Sequence, residues 1–438
     1  MEASPATDRT YGFATRAIHA GTPPDPTTGA RALPITMSTS YVFESASEAA
    51  ELFALRSYGH IYSRISNPTV SAFEERMASL EGGLGAVATA SGHAAQFCAV
   101  LAVAQGGDHI VSSTALYGGT RTQFGVTLRR LGIDVTFVDP DNVDGLRAAV
   151  RPETKALWCE TIGTPAGQIP DLEAWAAVAH ENGVPLMVDS TFATPYLCRP
   201  GDYGADVIVH SATKFICGHG TVIAGVVVDA GSFDFATDRF PLLSQPSPGY
   251  HDLVFTDCFG EYAFLTRLRA EVLRDVGAAL SPMNAWLLIQ GLETLPLRME
   301  RHVSNAKEVA LWLGRHPEVA WVGYAGLPEH PHYQRALKYL DGRPGAVFSF
   351  GLKGGRAGGV AFIDALSLWS HLANVGDAKS LVIHPASTTH SQWSDEELRA
   401  GGVGPELIRL SVGLEDIDDL LWDLDQGLAA AAKAGAGS

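Results

Sequence analysis

The stretch ADVIVHSATKFICGHGT, residues 205–221, joins an apolar run to a glycine-rich segment through a lysine. Val207, Ile208 and Val209 predict a strand that is apolar on both faces, and Lys214 follows closely after it. Lysine is seldom buried unless another group pairs with it. A lysine in such a position is more often a solvated turn residue than a reactive amine. The other motifs of the chain are therefore needed to choose between these interpretations of Lys214.

Similar apolar runs alternate with helical segments through the first half of the chain. The runs are GAVATA, HIVSS, DVTFV, KALWCE, PLMVDS and DVIVHS. Strands without polar alternation, separated by helices, indicate a mostly parallel sheet that is covered on both faces. Ligands bind beyond the carboxyl ends of the strands in such sheets. The polar residues that end these runs are therefore the first candidates for a site.

The chain of 438 residues exceeds the roughly 250 to 300 residues at which one core stops growing, so we expect at least two packed units. After Tyr250 the helical segments become longer, and AVFSFGLKGG, SLVIHPAS and LIRLSVG predict a second, smaller sheet. We predict an α/β fold with a large, mostly parallel-sheet domain and a smaller C-terminal α/β domain. The expected boundaries are an N-terminal arm at 1–65, the large domain at 66–260 and the smaller domain at 261–438. The tail GLAAAAKAGAGS predicts a frayed end.

Charge and cysteine content restrict the class of function. The formal net charge of −17 disfavours nucleic acid or an anionic membrane as the main partner. Five cysteines lie far apart without a C-x-x-C spacing, which is typical of free thiols in a reducing compartment. The start MEASPATDRT lacks the features of a signal peptide, and no apolar run is long enough to predict a membrane span. We expect a cytoplasmic protein.

Three of the predicted strand ends carry complementary groups. Asp189 ends PLMVD, Lys214 follows DVIVH, and SGHAA, residues 91–95, turns from a strand into a helix start that can bind an anion. Pyridoxal 5′-phosphate (PLP) needs an amine for its aldehyde, a carboxylate for its ring nitrogen and donors for its phosphate. Ser211 and Thr213 add hydroxyl donors. Each feature alone has a commoner structural role, but their joint occurrence favours a PLP site.

The motifs YSRISNPT, LYGGT, VDSTFATPYLCRP, ADVIVHSATKF and IHPASTTHSQ resemble the Cys/Met-metabolism family of PLP-dependent enzymes. The resemblance runs from about residue 15 to residue 428 and implies the fold-type I, aspartate aminotransferase-like fold. Within the family, HLANVGDAKSLVIHPASTTHSQ, SPMNAWLLIQGLETLPLRMERHV and FPLLSQPSPGYHDLVF are similar to O-acetylhomoserine sulfhydrylases, also called O-acetylhomoserine aminocarboxypropyltransferases. The cystathionine γ-synthases, cystathionine γ-lyases and methionine γ-lyases match less well.

The resemblance implies a role for each matching residue. Lys214 would form the Schiff base and act as the catalytic base, and Asp189 would pair with the pyridine nitrogen. The phosphate would be held by Ser211, Thr213 and the backbone of Gly92 and His93.

The resemblance also implies roles for residues outside these strand ends. Tyr117 would stack on the cofactor ring near the leaving group, although without the family match a core aromatic would be favoured. Arg409 would bind the substrate α-carboxylate near Asn374; from sequence alone a structural salt bridge is equally favoured for Arg409. Tyr62 and Arg64 would reach the phosphate of a neighbouring subunit, which implies at least a dimer and, from the family, a tetramer.

Several positions depart from the family pattern or invite a second interpretation. Thr164 stands where the family has asparagine in ETxxNP, Ser190 stands where VDNTFATP is usual, and Cys217 replaces a common glycine. These changes favour a specialised paralogue with a different nucleophile. His384 and His390 are interpreted as hydrogen-bonding residues, and no metal is expected.

The implied reaction is γ-replacement on O-acetyl-L-homoserine by sulfide or another thiol, giving L-homocysteine or methionine plus acetate. The alternatives are a cystathionine γ-synthase activity or a γ-elimination of the methionine γ-lyase type. A dinucleotide-binding oxidoreductase is a weaker hypothesis, because the glycines of EGGLGAVATASG precede their strand instead of following it. A non-catalytic scaffold is also conceivable.

Overall fold

The computed structural model describes residues 9–164, 167–388, 391–392, 394, 396 and 403–435. Within these residues, no helix is both long and apolar enough to cross a lipid bilayer. The strands fall into two sheets, one formed between residues 85 and 229 and the other between residues 319 and 411.

The larger sheet has seven strands in the spatial order β1-β7-β6-β5-β4-β2-β3. The strands are β1 (Gly85–Thr89), β2 (His109–Ser113), β3 (Asp134–Val138), β4 (Thr154–Glu160), β5 (Leu186–Asp189), β6 (Val207–His210) and β7 (Gly225–Asp229). Strands β3, β2, β4, β5 and β6 run parallel, and β7 is antiparallel to both of its neighbours. The six predicted strands and the mostly parallel sheet are confirmed, whereas β7 was not predicted.

Helices cover both faces of this sheet, which explains why its strands are apolar on both sides. Met187 and Val209 pack with the buried face of helix Gly92–Leu101, and the alternate residues Val188 and Ile208 pack on the opposite face. The larger cluster on that second face includes residues of helices Pro68–Glu81 and Leu172–Glu181. This arrangement buries the sheet and leaves the carboxyl ends of its parallel strands to form a site.

The smaller sheet has five strands in the order β10-β11-β12-β9-β8. They are β8 (Val319–Gly323), β9 (Val347–Leu352), β10 (Ser370–His371), β11 (Leu381–Ile383) and β12 (Leu407–Ser411). Among these described strands, β10 and β11 pair in parallel and the other neighbours pair antiparallel. Strands β9, β11 and β12 agree with the three predicted runs, while β8 and β10 were not predicted. The α/β fold class with a smaller C-terminal sheet is confirmed, and the boundaries at 65 and 260 stay predictions.

Helical segments connect and flank the strands. The α-helices before residue 200 are Phe13–His19, Ala46–Phe53, Pro68–Glu81, Gly92–Leu101, Gly118–Thr122, Val143–Ala149, Leu172–Glu181 and Thr194–Leu197. Those after residue 200 are Pro241–Ser244, Phe255–Phe259, Ala263–Arg267, Arg274–Val276, Pro282–Glu293, Leu295–Leu313, Tyr333–Leu340, Gly355–Ala365 and Ile417–Gly435. Short 3₁₀-helices are Pro200–Tyr203, Pro248–Tyr250, Gly260–Tyr262 and Pro385–Ser387, and π-helical turns are Gln123–Leu128 and Leu268–Leu273.

The prediction of a frayed tail is wrong for residues 427–435, which belong to helix Ile417–Gly435. Leu428 and Ala431 in this segment are buried, and the helix packs against helix Gly355–Ala365. The alanine-rich composition contains no pattern that marks an ordered helix, but its small side chains allow two helices to approach closely, and Ala431 lies beside Gly358. Tertiary packing therefore stabilises a segment that its sequence alone does not mark as ordered.

Candidate active site

A cavity of about 650 Å³ lies where the carboxyl ends of the parallel strands meet the smaller sheet. Ten of the residues that the sequence singled out line it: Gly92, His93, Tyr117, Thr164, Asp189, Ser211, Thr213, Lys214, Asn374 and Arg409. They come from both sheets and from segments more than two hundred residues apart. The strand ends predict a shared cavity for Asp189, Ser211, Thr213 and Lys214, and Arg409 and Asn374, expected from the family resemblance, line the same cavity.

The amine of Lys214 lies inside this cavity, directly after β6. Its Nζ donates a hydrogen bond to Oδ1 of Asn374 at 2.5 Å. Burial, followed by the positive charge of Arg409, lowers the pKa of Lys214 to about 8. A lysine with this pKa is partly unprotonated near neutral pH, so it can act as a nucleophile toward an aldehyde or as a general base.

Asp189 ends β5 beside the lysine segment and is held by Thr191. The backbone N–H and the hydroxyl of Thr191 both donate to Oδ1 of Asp189, at 2.9 Å and 2.5 Å. Burial raises the pKa of Asp189, while the Thr191 hydrogen bonds and the nearby His210 and His93 oppose that rise. The carboxylate is therefore oriented and partly stabilised in its charged form, as a partner for a protonated ring nitrogen requires.

The start of helix Gly92–Leu101 forms the third part of the cavity. Ser91 caps the helix by accepting the N–H of Ala94 at 3.1 Å. A Cβ atom on Gly92 would lie only 2.5 Å from the Cβ of Ser211, so only glycine lets the Ser211 segment lie against this helix start. Thr213 completes the arrangement through hydrogen bonds with the backbone of Ala224. Free helix N–H groups and two hydroxyls thus surround a space that fits a phosphate group.

Tyr117 follows β2 and presents its ring at the mouth of the cavity, where 51% of its surface is exposed. Its ring packs edge-on against the imidazole of His93, with ring centres 5.8 Å apart. A Cβ atom on Gly119 would lie 2.6 Å from both rings, which explains the second glycine of LYGGT. The aromatic ring is therefore available for stacking on a planar ligand.

Arg409 lies on β12 and extends from the smaller sheet into the cavity. Its Nη2 donates to the backbone oxygen of Asn374 at 3.2 Å, and burial lowers its pKa. Among the described residues no carboxylate forms an ion pair with Arg409, so the structural salt bridge considered from sequence is not found there. A half-buried guanidinium that has no acidic partner among the described residues suits the carboxylate of a ligand.

Tyr62 and Arg64 do not line the cavity. Both side chains are exposed, the guanidinium of Arg64 lies 5.4 Å from the Tyr62 ring centre, and Arg64 donates to the backbone oxygen of Arg274. Within a single chain these two residues and Lys214 are therefore not brought together.

The remaining singled-out residues have varied surroundings. Thr164 lines the cavity, whereas Ser190 is buried and accepts a hydrogen bond from Thr161 at 2.9 Å. Cys217 is buried behind the lysine, near the hydroxyl of Thr221. His384 is buried and bonded to Ser387 and to the Pro405 carbonyl, in agreement with a hydrogen-bonding role. His390 lies outside the described residues.

Sequence reasoning missed Glu160, which lines the cavity beside Asp189. The two are register partners on the adjacent parallel strands β4 and β5. The signal was present, because KALWCE ends in an acid just as PLMVD does. The expected cofactor requires a single carboxylate for its ring nitrogen, so the sequence pattern assigns no role to Glu160.

With this geometry established, comparison with known proteins identifies the family. A model of the Cys/Met metabolism PLP-dependent enzymes matches residues 14–429. The chain belongs to this family. PLP is accordingly its cofactor, and the amine, carboxylate and helix start of the cavity fit that cofactor's three functional groups.

Individual relatives of this Cys/Met metabolism enzyme are similar over almost their whole length. O-acetyl-L-homoserine sulfhydrylase 1 of Thermus thermophilus is 55% identical over 95% of this chain and 100% of the relative. Homocysteine synthase of Schizosaccharomyces pombe is 51% identical over 96% of this chain and 98% of the relative. A crystal structure of a putative O-acetylhomoserine (thiol)-lyase from Campylobacter jejuni superposes on this chain with a TM-score of 0.92 and is 38% identical in sequence. The match covers 96% of this chain and 100% of that one, and a lysine of the Campylobacter protein carries the pyridoxyl phosphate.

Proposed function

We propose that this Cys/Met metabolism enzyme catalyses γ-replacement on O-acetyl-L-homoserine. Sulfide would replace the acetyl ester at Cγ, giving L-homocysteine and acetate; methanethiol in place of sulfide would give methionine. The observation that carries the proposal is the convergence of Lys214, Asp189 and Arg409 on one cavity. The printed names of relatives at 51% and 55% identity support the choice of substrate.

The proposed roles follow from the environment of each residue. When bound, PLP supplies an electron sink that stabilises negative charge on the substrate carbons. Lys214, with its lowered pKa, takes the proton from Cα and helps to move a proton at Cβ. Arg409 holds the α-carboxylate and thereby orients the Cα–H bond toward the lysine. Asp189 keeps the ring nitrogen protonated.

Other residues hold the reactants in place. Ser211, Thr213 and the N–H groups at Gly92 and His93 would bind the phosphate of the cofactor, and the Tyr117 ring would stack on the cofactor ring near the leaving group. Asn374 accepts a hydrogen bond from Lys214 and would keep that amine in position while the substrate binds.

In this proposal a complete active site includes Tyr62 and Arg64 from a second subunit. Their exposure and their position outside the cavity of their own chain support this assignment. The protein would then be at least a dimer. We further propose a cytoplasmic location, because all five cysteines are free thiols and four of them are buried.

A second candidate is a paralogue of the same reaction type that uses a different thiol. Thr164 supports it, since this residue lines the cavity where the family has asparagine, and its hydroxyl is shorter than an amide. A Thr164→Asn variant that leaves the preference among sulfide, methanethiol and larger thiols unchanged would count against this candidate.

Steady-state assays of the purified protein test the main proposal. O-acetylhomoserine with sulfide should yield homocysteine and acetate in equal amounts, whereas methionine alone should release little ammonia. Lys214→Ala should lose the visible absorption band of the lysine-bound cofactor, while the exposed Lys307→Ala should keep it. Rapid ammonia release from methionine, or an unchanged band in the Lys214 variant, would overturn the proposal.

A further inference from the structure

Glu160 has no role in the reaction as proposed above, yet it is one of the most deeply placed groups of the cavity. Only 6% of its surface is exposed, and its Oε1 accepts the backbone N–H of Tyr117 at 2.7 Å. It therefore connects the end of β4 to the turn that carries the Tyr117 ring. Loss of this acceptor would leave a half-buried N–H without a partner.

The position of Glu160 creates an electrostatic conflict if it is ionised. It is the register partner of Asp189, both side chains line the same cavity, and no ion pair joins Glu160 to a cation in the described part of the chain. Glu160 is buried and Asp189 is half-buried. Adjacent carboxylates that are shielded from water repel each other, so one of them tends to keep its proton.

The surroundings of the two carboxyl groups determine which one keeps the proton. Asp189 receives two hydrogen bonds from Thr191 and lies near two histidines, all of which favour its charged form. Burial, and next the charge of Asp189, raise the pKa of Glu160 well above its usual range, and the single Tyr117 N–H opposes this only in part. The environments thus push the two pKa values apart.

The other titratable or charged groups around Glu160 come from several elements. They are His93 at the helix start, Tyr117 after β2, Lys214 after β6, Arg409 on β12 and the buried thiol of Cys159 beside it on β4. The two cations, Lys214 and Arg409, have other partners at Asn374. Within the described part of the chain, the Tyr117 amide is the one among these groups that hydrogen-bonds to the Glu160 carboxyl, and none of them forms an ion pair with it.

We propose that Glu160 is a neutral positioning residue: as a carboxylic acid it holds the Tyr117 turn at the cofactor site and leaves Asp189 as the charged carboxylate of the pair. This inference rests on the roles proposed above for Tyr117 and Asp189. It explains how a second acid can lie beside Asp189 without competing with it for the protonated ring nitrogen.

The protonation state is tested with holoenzyme of the wild type and Glu160→Gln, with the exposed Glu308→Gln as the matched control. A group protonated when folded but ionised when unfolded makes stability fall as pH rises from about 4.3 toward its folded pKa. Because the amide introduced by Glu160→Gln cannot ionise, the melting temperature of E160Q should rise relative to wild type as the pH increases above about 5, by on the order of 1 °C per pH unit. E308Q should show no such trend, and a difference for E160Q that is independent of pH would overturn the proposal.

An infrared measurement decides the same point without relying on a variant that folds. Wild-type holoenzyme with ¹³C-labelled glutamate should show, at pH 7, a protonated-carboxyl band that shifts on labelling. Where E160Q folds, its spectrum should lack this band. Absence of a label-sensitive band in the wild type would show that Glu160 is ionised and would contradict the inference.

The positioning role is tested by comparing two replacements. Glu160→Ala removes the acceptor for Tyr117, so we expect kcat/KM to fall by roughly tenfold and PLP to dissociate more readily. E160Q keeps a neutral acceptor of the same shape and should retain at least about three times the E160A value. If kcat/KM of E160Q falls as far as that of E160A, a negative charge at this position is required and the proposal is wrong. Wild-type protein that binds no PLP would instead refute the proposed function, so the two failures are distinguishable.

Discussion

At the scale of single residues, the cavity controls chemistry by changing how readily buried groups hold their protons. Lys214 shows this most directly, because it is half-buried and, among the described residues, is hydrogen-bonded to a neutral amide and forms no ion pair. Burial contributes most to its lowered pKa, and the positive charge of Arg409 adds to it. The same arginine that is proposed to bind substrate therefore also helps to keep the lysine reactive.

The rate at which PLP attaches to the cofactor-free protein should depend on pH through Lys214. Only the unprotonated amine attacks an aldehyde. The rate should therefore rise with pH, reach half of its maximum near the pKa of about 8, and level off at higher pH. Arg409→Gln should move this midpoint upward, but by less than the full difference from an ordinary lysine, since burial remains. Stopped-flow absorbance across pH 6 to 10 measures the midpoint. The exposed Arg301→Gln is the control, and a lower midpoint in R409Q would contradict the electrostatic account.

Asp189, Lys214 and the helix start were predictable because each follows a recognisable strand, and one cofactor requires all three. Glu160 was not, although it ends its strand in the same way. Whether two acids on neighbouring strands share a face depends on register, which apolar runs do not specify. The pairing of Lys214 with Asn374 likewise depends on how the smaller sheet packs on the larger one.

At the scale of elements, helix Gly92–Leu101 shows how one close approach shapes the site. Its start contacts the Ser211 segment so closely that a single methyl group would collide with it. The helix is capped by Ser91 and buried along one face, so it cannot move away without cost. The geometry of the proposed phosphate site is therefore fixed by packing rather than by the ligand.

Gly92→Ala should consequently weaken PLP binding. The added Cβ would push Ser211 away from the helix start, and the phosphate would lose a hydroxyl donor together with the correct spacing of backbone N–H groups. We expect the dissociation constant of PLP to rise by roughly tenfold or more, measured by equilibrium dialysis. Gly12→Ala, where no atom lies within 4 Å of the new methyl group, should bind PLP as the wild type does. Equal affinity of both variants would show that the close contact is not needed.

Strands were predictable where they alternate with helices along the chain, but not where that alternation is interrupted. Strand β7 follows β6 without a covering helix and pairs antiparallel with it. This connection does not need the crossover that a parallel pair requires. Strand β10 contains only two residues, so it forms no apolar run. Strand β8 has an apolar sequence, VAWVG, but it lies partly exposed at the edge of the smaller sheet and outside the alternation of strands and helices.

At the scale of the whole molecule, an extended N-terminal segment carries exposed apolar side chains. Val42 and Tyr58 are almost fully exposed in the single chain, and Met37 and Phe53 are largely exposed. Apolar exposure on this scale is typical of a surface that another chain covers. Tyr62 and Arg64 belong to the same segment, so burial of the segment against a second copy and completion of the site would be one event.

Mixing two inactive variants should therefore restore activity. Lys214→Ala lacks the amine and Arg64→Ala lacks the guanidinium proposed to reach the neighbour's phosphate. In a mixed dimer one site combines the Lys214 of one subunit with the Arg64 of the other, and both are intact there. Co-refolding equal amounts should recover about a quarter of wild-type activity, because half of the dimers are mixed and each has one complete site of two. Each variant refolded alone is the control. If Arg64 served its own chain, no combination would contain a complete site, and the mixture would stay as inactive as its components.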